Sequence, residues 1–520
     1  MYHPTFDEVQ QLAASLKPDT RHPLLPLCCD LLADMETPVS AYCKTARGPY
    51  SFLLESVAGG ERIARYSFIG IDPYLVLTHR GETATLHYMD RASGERVEEV
   101  ACYDPLTIIQ AELGQYRLVT PITKQRDELP RFHGGAVGYL AYEAAARFER
   151  LPIPEKNTLG LPLAVFSFTE TVLVFDHLKH RVRIVTHLHL DAPNLEDEYQ
   201  RCSAILADVQ QRLQQELCFP VEPAPRAEHE PIRVVSNRTQ AEFEAMVEQA
   251  REYILAGDIF QVVPSQRLSR PVNAAPFTVY RALRTINPSP YMFFLDLADF
   301  HIIGASPELL VRVEDNEVTI HPLAGTRGRG TNADEDEHLA EELRHDPKER
   351  AEHVMLLDLG RNDVGRVSQP GTVQVTECME IERYSHVMHL VSNVVGQLRT
   401  DISPYEALRA GFPAGTVSGA PKIRAMEIIS ELEGDQRGIY AGAVGYFSHS
   451  GNLDTAIALR TMVMKDGVAY IQAGCGIVAD SDPAAEYEES MNKARATLRA
   501  LEMAEQIAAT QERQRHAVTH

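Results

Sequence analysis

At 520 residues, with 44% hydrophobic and 24% charged side chains, the chain has the composition of a soluble globular protein and exceeds the usual single-domain size, so two domains or one two-lobed unit are expected. Its 73 acidic against 50 basic side chains leave a formal charge of −23, which argues against a nucleic-acid or anionic-membrane surface. No run approaches the length of a membrane span, MYHPTFDEVQQ lacks the pattern of a secretory leader, and none of the eight cysteines forms C-x-x-C, so reduced thiols in the cytoplasm are expected.

In chain order, alternating apolar runs predict strands at 50–56 (YSFLLES), 74–80 (YLVLTHR), 171–177 (TVLVFDH) and 182–190 (VRIVTHLHL), and helical spacing marks 197–217. Four prolines make FPVEPAPRAEHEPI, 219–232, a linker between an N-terminal region, 1–218, and a second region, 233–510, with a tail at 511–520. A helix over 239–259 follows, with Thr239 as N-cap, Glu242 closing a capping box and Gly257 as its stop. Strands are then predicted at 260–268 (FQVVPSQRL), 290–297, 300–306, 441–448 (AGAVGYFS) and 455–464 (TAIALRTMVM), with helices near 347–358, 403–411 and 421–432. The apolar segment carrying His389 reads as helical, and a last helix opens at Ser481 or Asp482 with Pro483 in its first turn. GAVGY occurs at 135–139 and again at 442–446, which marks equivalent strands in two lobes or is coincidence.

Four features in the second region could carry chemistry. Glu349 and Glu352 share one helix face, as do Glu486 and Glu489; two such pairs could meet around a hard cation such as magnesium, or be solvated acidic faces. HPLAGTRGRG, 321–330, reads as a loop whose glycine N–H groups and arginines could hold an anion, or as a tight turn with its arginines in solvent. It fits neither nucleotide-binding glycine pattern. QAGCGIVAD, 472–480, and FPAGTVSGAPKIRAMEII, 412–429, are two more glycine-rich segments, the latter leading into a helix opened by Pro421 and Lys422.

Taken in order, DIFQVVPSQR (258–267), NPSPYMFFL (287–295), GASPELLVR (304–312), PLAGTRGRG (322–330), ERAEHVMLLDLGRNDVGRV (349–367), HVMHLVSNVVGQL (386–398), PAGTVSGAPKIRAMEII (413–429), YAGAVGYF (440–447) and QAGCGIVADSDPAAEYEESMNKARA (472–496) resemble the chorismate-utilising enzymes, in particular the large subunits, or component I, of anthranilate synthases. LLESV (53–57), ARYSFIG (64–70) and FHGGAVGYLAYE (132–143) extend the resemblance into the first region. It implies an α/β (α+β) fold, a two-lobed sandwich of large antiparallel sheets with helices outside. It also implies amination of chorismate by ammonia to give anthranilate and pyruvate, the first committed step of tryptophan biosynthesis.

By motif, the resemblance implies that Gly325, Thr326, Tyr440, Arg460, Gly474, Cys475, Gly476 and Lys493 bind substrate. Glu352 and Glu489 match Mg²⁺ ligands, with Glu349 and Glu486 acting beside them or through water. Glu308 matches a general acid, His389 a histidine of the elimination step, and Thr416 and Gln261 complete the catalytic set. Ser56, Pro290, Tyr291 and Met292 match a tryptophan feedback site. Relatives that make aminodeoxychorismate carry lysine where Ala324 stands, and relatives that add water carry a lysine base where Gln261 stands; a methyl and a neutral amide exclude both roles. No G-x-C-x-G nucleophile turn is present, so the resemblance implies a separate glutamine amidotransferase subunit as the ammonia source, in a heterotetramer. The alternatives are an aminodeoxychorismate synthase component and a catalytically inactive regulatory relative.

Overall fold

Strands that alternate apolar and polar residues need a second apolar face to bury against. The chain supplies it by folding into two twelve-stranded sheets. A computed structural model describes residues 2–17, 21–57, 65–90, 94–119, 129–217, 219–223, 233–384 and 387–518. Ala64, Cys218, residues 224–232 of the proposed linker, His386 and the last two tail residues therefore lie outside the described residues.

The first sheet runs, edge to edge, as Val235–Ser236, Ser265–Pro271, Val468–Gly474, Thr461–Lys465, Phe300–Ser306, Tyr291–Asp296, Phe52–Glu55, Tyr66–Gly70, Val172–Asp176, Arg181–His189, Pro23–Leu32 and Arg117–Leu118. The second runs as Leu323–Gly328, Val387–Gln397, Glu317–Ile320, Leu309–Glu314, Leu453–Ile457, Ala443–Ser448, Gly135–Leu140, Ala164–Thr169, Leu75–Arg80, Thr83–Asp90 and Gly94–Ala101, with Gln374–Arg383 also paired to Val387–Gln397. Pairing is antiparallel apart from a short parallel contact of Pro23 and Leu24 with Arg117 and Leu118. Phe52, Phe68, Phe293 and Ile302 of the first sheet meet Val137, Tyr139, Val444 and Tyr446 of the second in one apolar layer. Helices cover the outer faces: Pro105–Gly114, Pro347–Val367 and Pro404–Gly411 on one side, Leu195–Leu213, Pro276–Ile286 and Pro483–Val518 on the other.

The two halves of the chain lay down their strands in the same order. Outward from the middle of the first sheet, the N-terminal half contributes 52–55, 66–70, 172–176, 181–189 and 23–32, and the C-terminal half contributes 291–296, 300–306, 461–465, 468–474 and 265–271. The second sheet repeats the correspondence, and its two central strands are the GAVGY copies, paired with Gly138 opposite Gly445. A Cβ at Gly138 would lie 1.9 Å from Val165 O, and one at Gly445 would lie 2.1 Å from Asp454 O, so each central strand needs glycine here because the strand on its outer side, away from the seam, comes too close for a side chain. Both sheets therefore contain both regions of the chain.

Several expectations change. FQVVPSQRL is broken between Val262 and Ser265, and its first part, Gln261–Val262, leaves the large sheets to pair with Gly419–Ala420. TAIALRTMVM is two strands in two different sheets, parted at 458–460. HPLAGTRGRG is largely an edge strand, Leu323–Gly328, and His389 lies on a strand, Val387–Gln397, rather than a helix. The last helix, Pro483–Val518, runs through most of the proposed tail, and Asp482 caps it by accepting from Ala485 N. The capping box of Thr239 and Glu242 forms as expected.

Candidate active site

The C-terminal half crosses between sheets twice, and each crossing presents a charged side chain. Glu308, 4% exposed, lies between Phe300–Ser306 and Leu309–Glu314. Arg460 lies between Leu453–Ile457 and Thr461–Lys465, at φ 47°, a left-handed conformation that costs a non-glycine residue on the order of 1 kcal/mol or more. Ile457 N donates to Glu308 O at 3.1 Å and ties the crossings together. Burial pushes Glu308 up to about 8, against the opposing pull of the Thr416 hydroxyl, the Leu323 N–H and the Arg460 charge. Thr416 Oγ1 donates to Glu308 Oε1 at 3.0 Å. A carboxyl that keeps its proton near neutrality can act as a general acid.

His389 stands opposite Thr326 on the neighbouring strand. Its Nδ1 is 3.0 Å from Gly325 O and 3.0 Å from Thr326 Oγ1. A carbonyl only accepts, so Nδ1 carries the proton and the lone pair sits on Nε2, which is buried without a protein partner. Burial pushes the ring down to about 4, leaving a neutral base. Gly325 has φ 68°, and a Cβ there would come within 3.1 Å of Glu349 Oε2. Ala324 is buried beside it and offers only a methyl group.

A second wall gathers around the Gly474–Gly476 turn. Lys493 Nζ donates to Gly474 O at 3.1 Å, and Cys475 N donates to Pro264 O at 3.3 Å. A Cβ on Gly474 would come within 3.0 Å of the Tyr440 hydroxyl, and one on Gly476 within 2.5 Å of Gln261 Nε2 and 3.7 Å of Glu352 Oε1. Gln261 Nε2 donates to Glu352 Oε1 at 2.8 Å. Cys475 is fully buried, and burial raises its thiol above the ordinary value, so it is an inert small residue here.

The helix carrying Glu349 and Glu352 thus brings one carboxylate to Gly325 and the other to Gly476. Glu486, raised by burial and by Glu489, comes to Cys475 from the last helix. Glu349 is likewise raised by burial and by Glu352. Lys493 pairs with Glu489 at 2.8 Å. Two such pairs of carboxylates fit a hard divalent cation taking oxygen ligands. They are near one another without being gathered: among the described residues, the group whose ligand atoms already lie within 4.8 Å of each other is His321, Glu377 and Glu382.

The arginines of HPLAGTRGRG are not anion ligands. Arg327 bonds Asp346 and Glu349, and Arg329 bonds Asp336. Lys422, at the start of its helix, bonds Asp363 at 2.8 Å. Two residues here were not singled out from sequence. Tyr384 packs edge-on against His389 at 5.5 Å, and Arg437 lies behind Tyr440; neither belongs to a local pattern that spacing could show.

Apart from this site, Ser56, Pro290, Tyr291 and Met292 line one cleft of about 710 Å³, including the solvent at its mouth, where Phe52–Glu55 meets Tyr291–Asp296. Ser56 Oγ is buried there without a partner. Arg312 donates to the Tyr291 hydroxyl at 2.8 Å and to Asp454 at 2.9 Å. No helix among the described residues is long and apolar enough to cross a membrane.

The sequence profile described as chorismate binding enzyme matches residues 51–499. The chain belongs to the chorismate-binding enzymes. Among relatives of this chorismate-binding enzyme, an anthranilate synthase component 1 of Acetivibrio thermocellus is 47% identical over 512 residues, spanning 98% of this chain and 100% of the relative. One of Pseudomonas putida is 48% identical over 495 residues, spanning 93% and 97%. The crystal structure of anthranilate synthase component I from Streptococcus pneumoniae superposes with a TM-score of 0.70 at 38% identity, covering 90% of this chain and 98% of that one. The menaquinone-specific isochorismate synthase of Escherichia coli, at 18% identity and a TM-score of 0.67 over 95% of this chain and 99% of that one, shares the fold.

Proposed function

We propose that the chain is an anthranilate synthase subunit that converts chorismate and ammonia to anthranilate and pyruvate. The observation that carries this reading is Glu308, a buried carboxyl that retains its proton near neutrality in contact with Thr416 and close to the charge of Arg460. Losing the 4-hydroxyl of chorismate as water requires a proton, and in this reading Glu308 gives it as ammonia bonds to ring C2. Ala324 supports ammonia itself as the nucleophile, because its methyl cannot attack the ring. In the second stage a base must take the C2 proton as the enolpyruvyl group departs and the ring becomes aromatic; His389 Nε2 is neutral and unpartnered for that task. Arg460 and the amide groups around Gly474–Gly476, with Thr326, Tyr440 and Lys493 beside them, suit a carboxylate of the substrate. Magnesium held by Glu352 and Glu489, with Glu349 and Glu486 through water, would stabilise negative charge on the ring carboxylate.

Ammonia is supplied in this reading by a separate glutamine amidotransferase subunit, and tryptophan inhibits by binding the cleft of Ser56 and Tyr291. The test incubates the purified chain with chorismate, Mg²⁺ and ammonium and follows anthranilate fluorescence, which a chain with no tryptophan does not obscure. Anthranilate formation that stops with a chelator, returns with Mg²⁺ and falls with tryptophan is the expected result. Consumption of chorismate to aminodeoxychorismate instead would overturn the assignment of Ala324. No consumption, with or without an amidotransferase partner, would point to an inactive relative.

A further inference from the structure

Gln261 and Thr416 hang from a ribbon that belongs to neither large sheet. Gln261–Val262 pairs with Gly419–Ala420, Val263 N donates to Ser418 O at 3.0 Å, and a single bridge, with Ile477 N donating to Val262 O at 2.8 Å, ties the ribbon to the segment after Gly476. So small a two-stranded ribbon does not hold its own shape. Its two strands are bridged from behind by one side chain, Arg437, which is 2% exposed. Its Nη1 donates to Val417 O at 2.9 Å, in the turn that leads into one strand, and its Nη2 to Val263 O at 2.5 Å, just past the end of the other. Nε and Nη2 also form a two-point bond with Glu433 at 2.9 and 2.6 Å, and Glu433 in turn accepts from Ser265 N and Oγ. The guanidinium lies 4.6 Å from the Tyr142 ring and 5.4 Å from the ring of Tyr440. Its own backbone is fixed from the other half of the chain, because Glu143 accepts from Arg437 N at 2.6 Å and from Gly438 N at 3.1 Å.

Each contact ends one step from a group of the candidate site. Val417 follows Thr416, which donates to Glu308. Val263 lies between Gln261 and Pro264, whose carbonyl receives Cys475 N. Tyr440 reaches Gly474. A buried ion pair is by itself a poor source of stability, since apolar residues of similar volume often serve as well. A planar fork that satisfies two carbonyls flanking different strands is something neither an apolar residue nor an ammonium can replace. We propose that Arg437 is a positioning residue of the reaction, clamping the ribbon so that Gln261, Thr416 and Tyr440 meet Glu308 and the Gly474–Gly476 turn in one arrangement. The inference rests on the anthranilate synthase reading.

Arg437→Met strands Glu433 without its partner and could fail to fold, so the decisive variant is Arg437→Lys, which keeps the charge and loses the fork. Arg212→Lys is the control: Arg212 is equally buried, bonds Thr45 O and Asp72, and lies outside both walls of the site. Thermal unfolding, kcat and KM for chorismate are measured for both. Displacement of reacting groups by about 1 Å costs on the order of 10²-fold, so Arg437→Lys should lose roughly that in kcat, with a melting temperature lowered no more than in Arg212→Lys. Arg212→Lys should keep kcat within about twofold. An Arg437→Lys enzyme with kcat and KM both within about twofold of the parent overturns the proposal, as does an equal kcat loss in both variants. If the parent binds chorismate but releases no anthranilate, the reaction assignment fails on its own. The clamp is then judged by chorismate-induced thermal stabilisation, which Arg437→Lys should lose and Arg212→Lys should keep; its persistence in Arg437→Lys refutes the clamp.

Discussion

Glu308 keeps its proton because the crossing that buries it returns less than water did. One hydroxyl, one N–H and a nearby guanidinium do not restore the lost solvation, so the ionised form is disfavoured and the group titrates at about 8. The unfolded chain releases this proton near the ordinary carboxylate value, about 4.3. Between those values the folded state binds more protons than the unfolded one, so stability falls as pH rises through that window. Glu308→Gln should therefore abolish anthranilate formation yet raise the melting temperature at pH 8, by an amount worth up to a few kcal/mol that disappears below about pH 4. A calorimetric pH series decides this; a variant less stable than the parent at pH 8 contradicts the burial account. Thr416→Val removes a bond that favours the ionised form, so the alkaline limit of kcat should move to higher pH. At Ala324 the expectation concerns product. Ala324→Lys sets an amine next to Gly325, and anthranilate output should collapse by more than about tenfold as direct amination is blocked. Mass spectrometry of the incubated variant should find substrate attached to Lys; unchanged anthranilate output would show that position 324 does not choose the nucleophile.

The elements around these residues were legible in unequal measure. The periodicity of TVLVFDH, FHIIGAS and the 239–259 helix was enough to place them, because a strand with one buried face and a capped helix announce themselves locally. The crossings did not show. TAIALRTMVM reads as one strand since its apolar run is interrupted only by Arg460 and Thr461, and only the pairing of its two parts with different sheets reveals the turn. The apolar run around His389 is equally compatible with a helix, and long-range pairing with Leu323–Gly328 decides for a strand. The arginines of HPLAGTRGRG looked available to a ligand because the acidic side chains that take them, Asp336 and Asp346, come from helices that follow in the chain. Family motifs, rather than periodicity, picked out most of the site side chains, and they missed Arg437 because its work is done on carbonyls. The GAVGY copies were visible but uninterpretable until their strands were found side by side. The close approach of the Ala164–Thr169 strand predicts that Gly138→Ala, which drives a methyl into Val165 O, destabilises by about 3 kcal/mol or more, whereas Gly81→Ala, with open space around a hairpin glycine, costs about 1 kcal/mol. Denaturant unfolding of the two variants measures the difference, and equal losses would mean that the Ala164–Thr169 strand can give way to a methyl without cost.

At the scale of the whole molecule, the duplicated strand order puts a cleft and the candidate active site on one frame. The cleft of Ser56 and Tyr291 sits at the middle of the first sheet, where the halves meet, while the candidate active site occupies the crossings of the C-terminal half alone. The same strands reach both. Tyr291 pairs with Ser306, whose Oγ accepts from Glu308 N at 3.3 Å. Arg312 and Asp454, which bond each other and Tyr291 at the cleft, lie on the two strands that lead to Glu308 and Arg460. A ligand in the cleft can alter the site only if it binds one arrangement of these strands more tightly than another. The sequence offers an unusual reporter, because the chain has no tryptophan of its own and a bound tryptophan would be the only indole present. Tryptophan emission should shift to the blue on titration with protein, and Ser56→Ala, which removes a hydroxyl now buried without a partner, should weaken that binding by about fivefold, the worth of one hydrogen bond. Uninhibited kcat should be unchanged, since Ser56 lies in neither wall of the active site. Because coupling between sites is reciprocal, saturating chorismate should weaken tryptophan binding by the factor by which tryptophan weakens chorismate binding. A titration in which Ser56→Ala binds tryptophan and is inhibited by it as the parent is would move the effector site out of this cleft. Loss of binding without loss of inhibition would instead separate the cleft from the feedback.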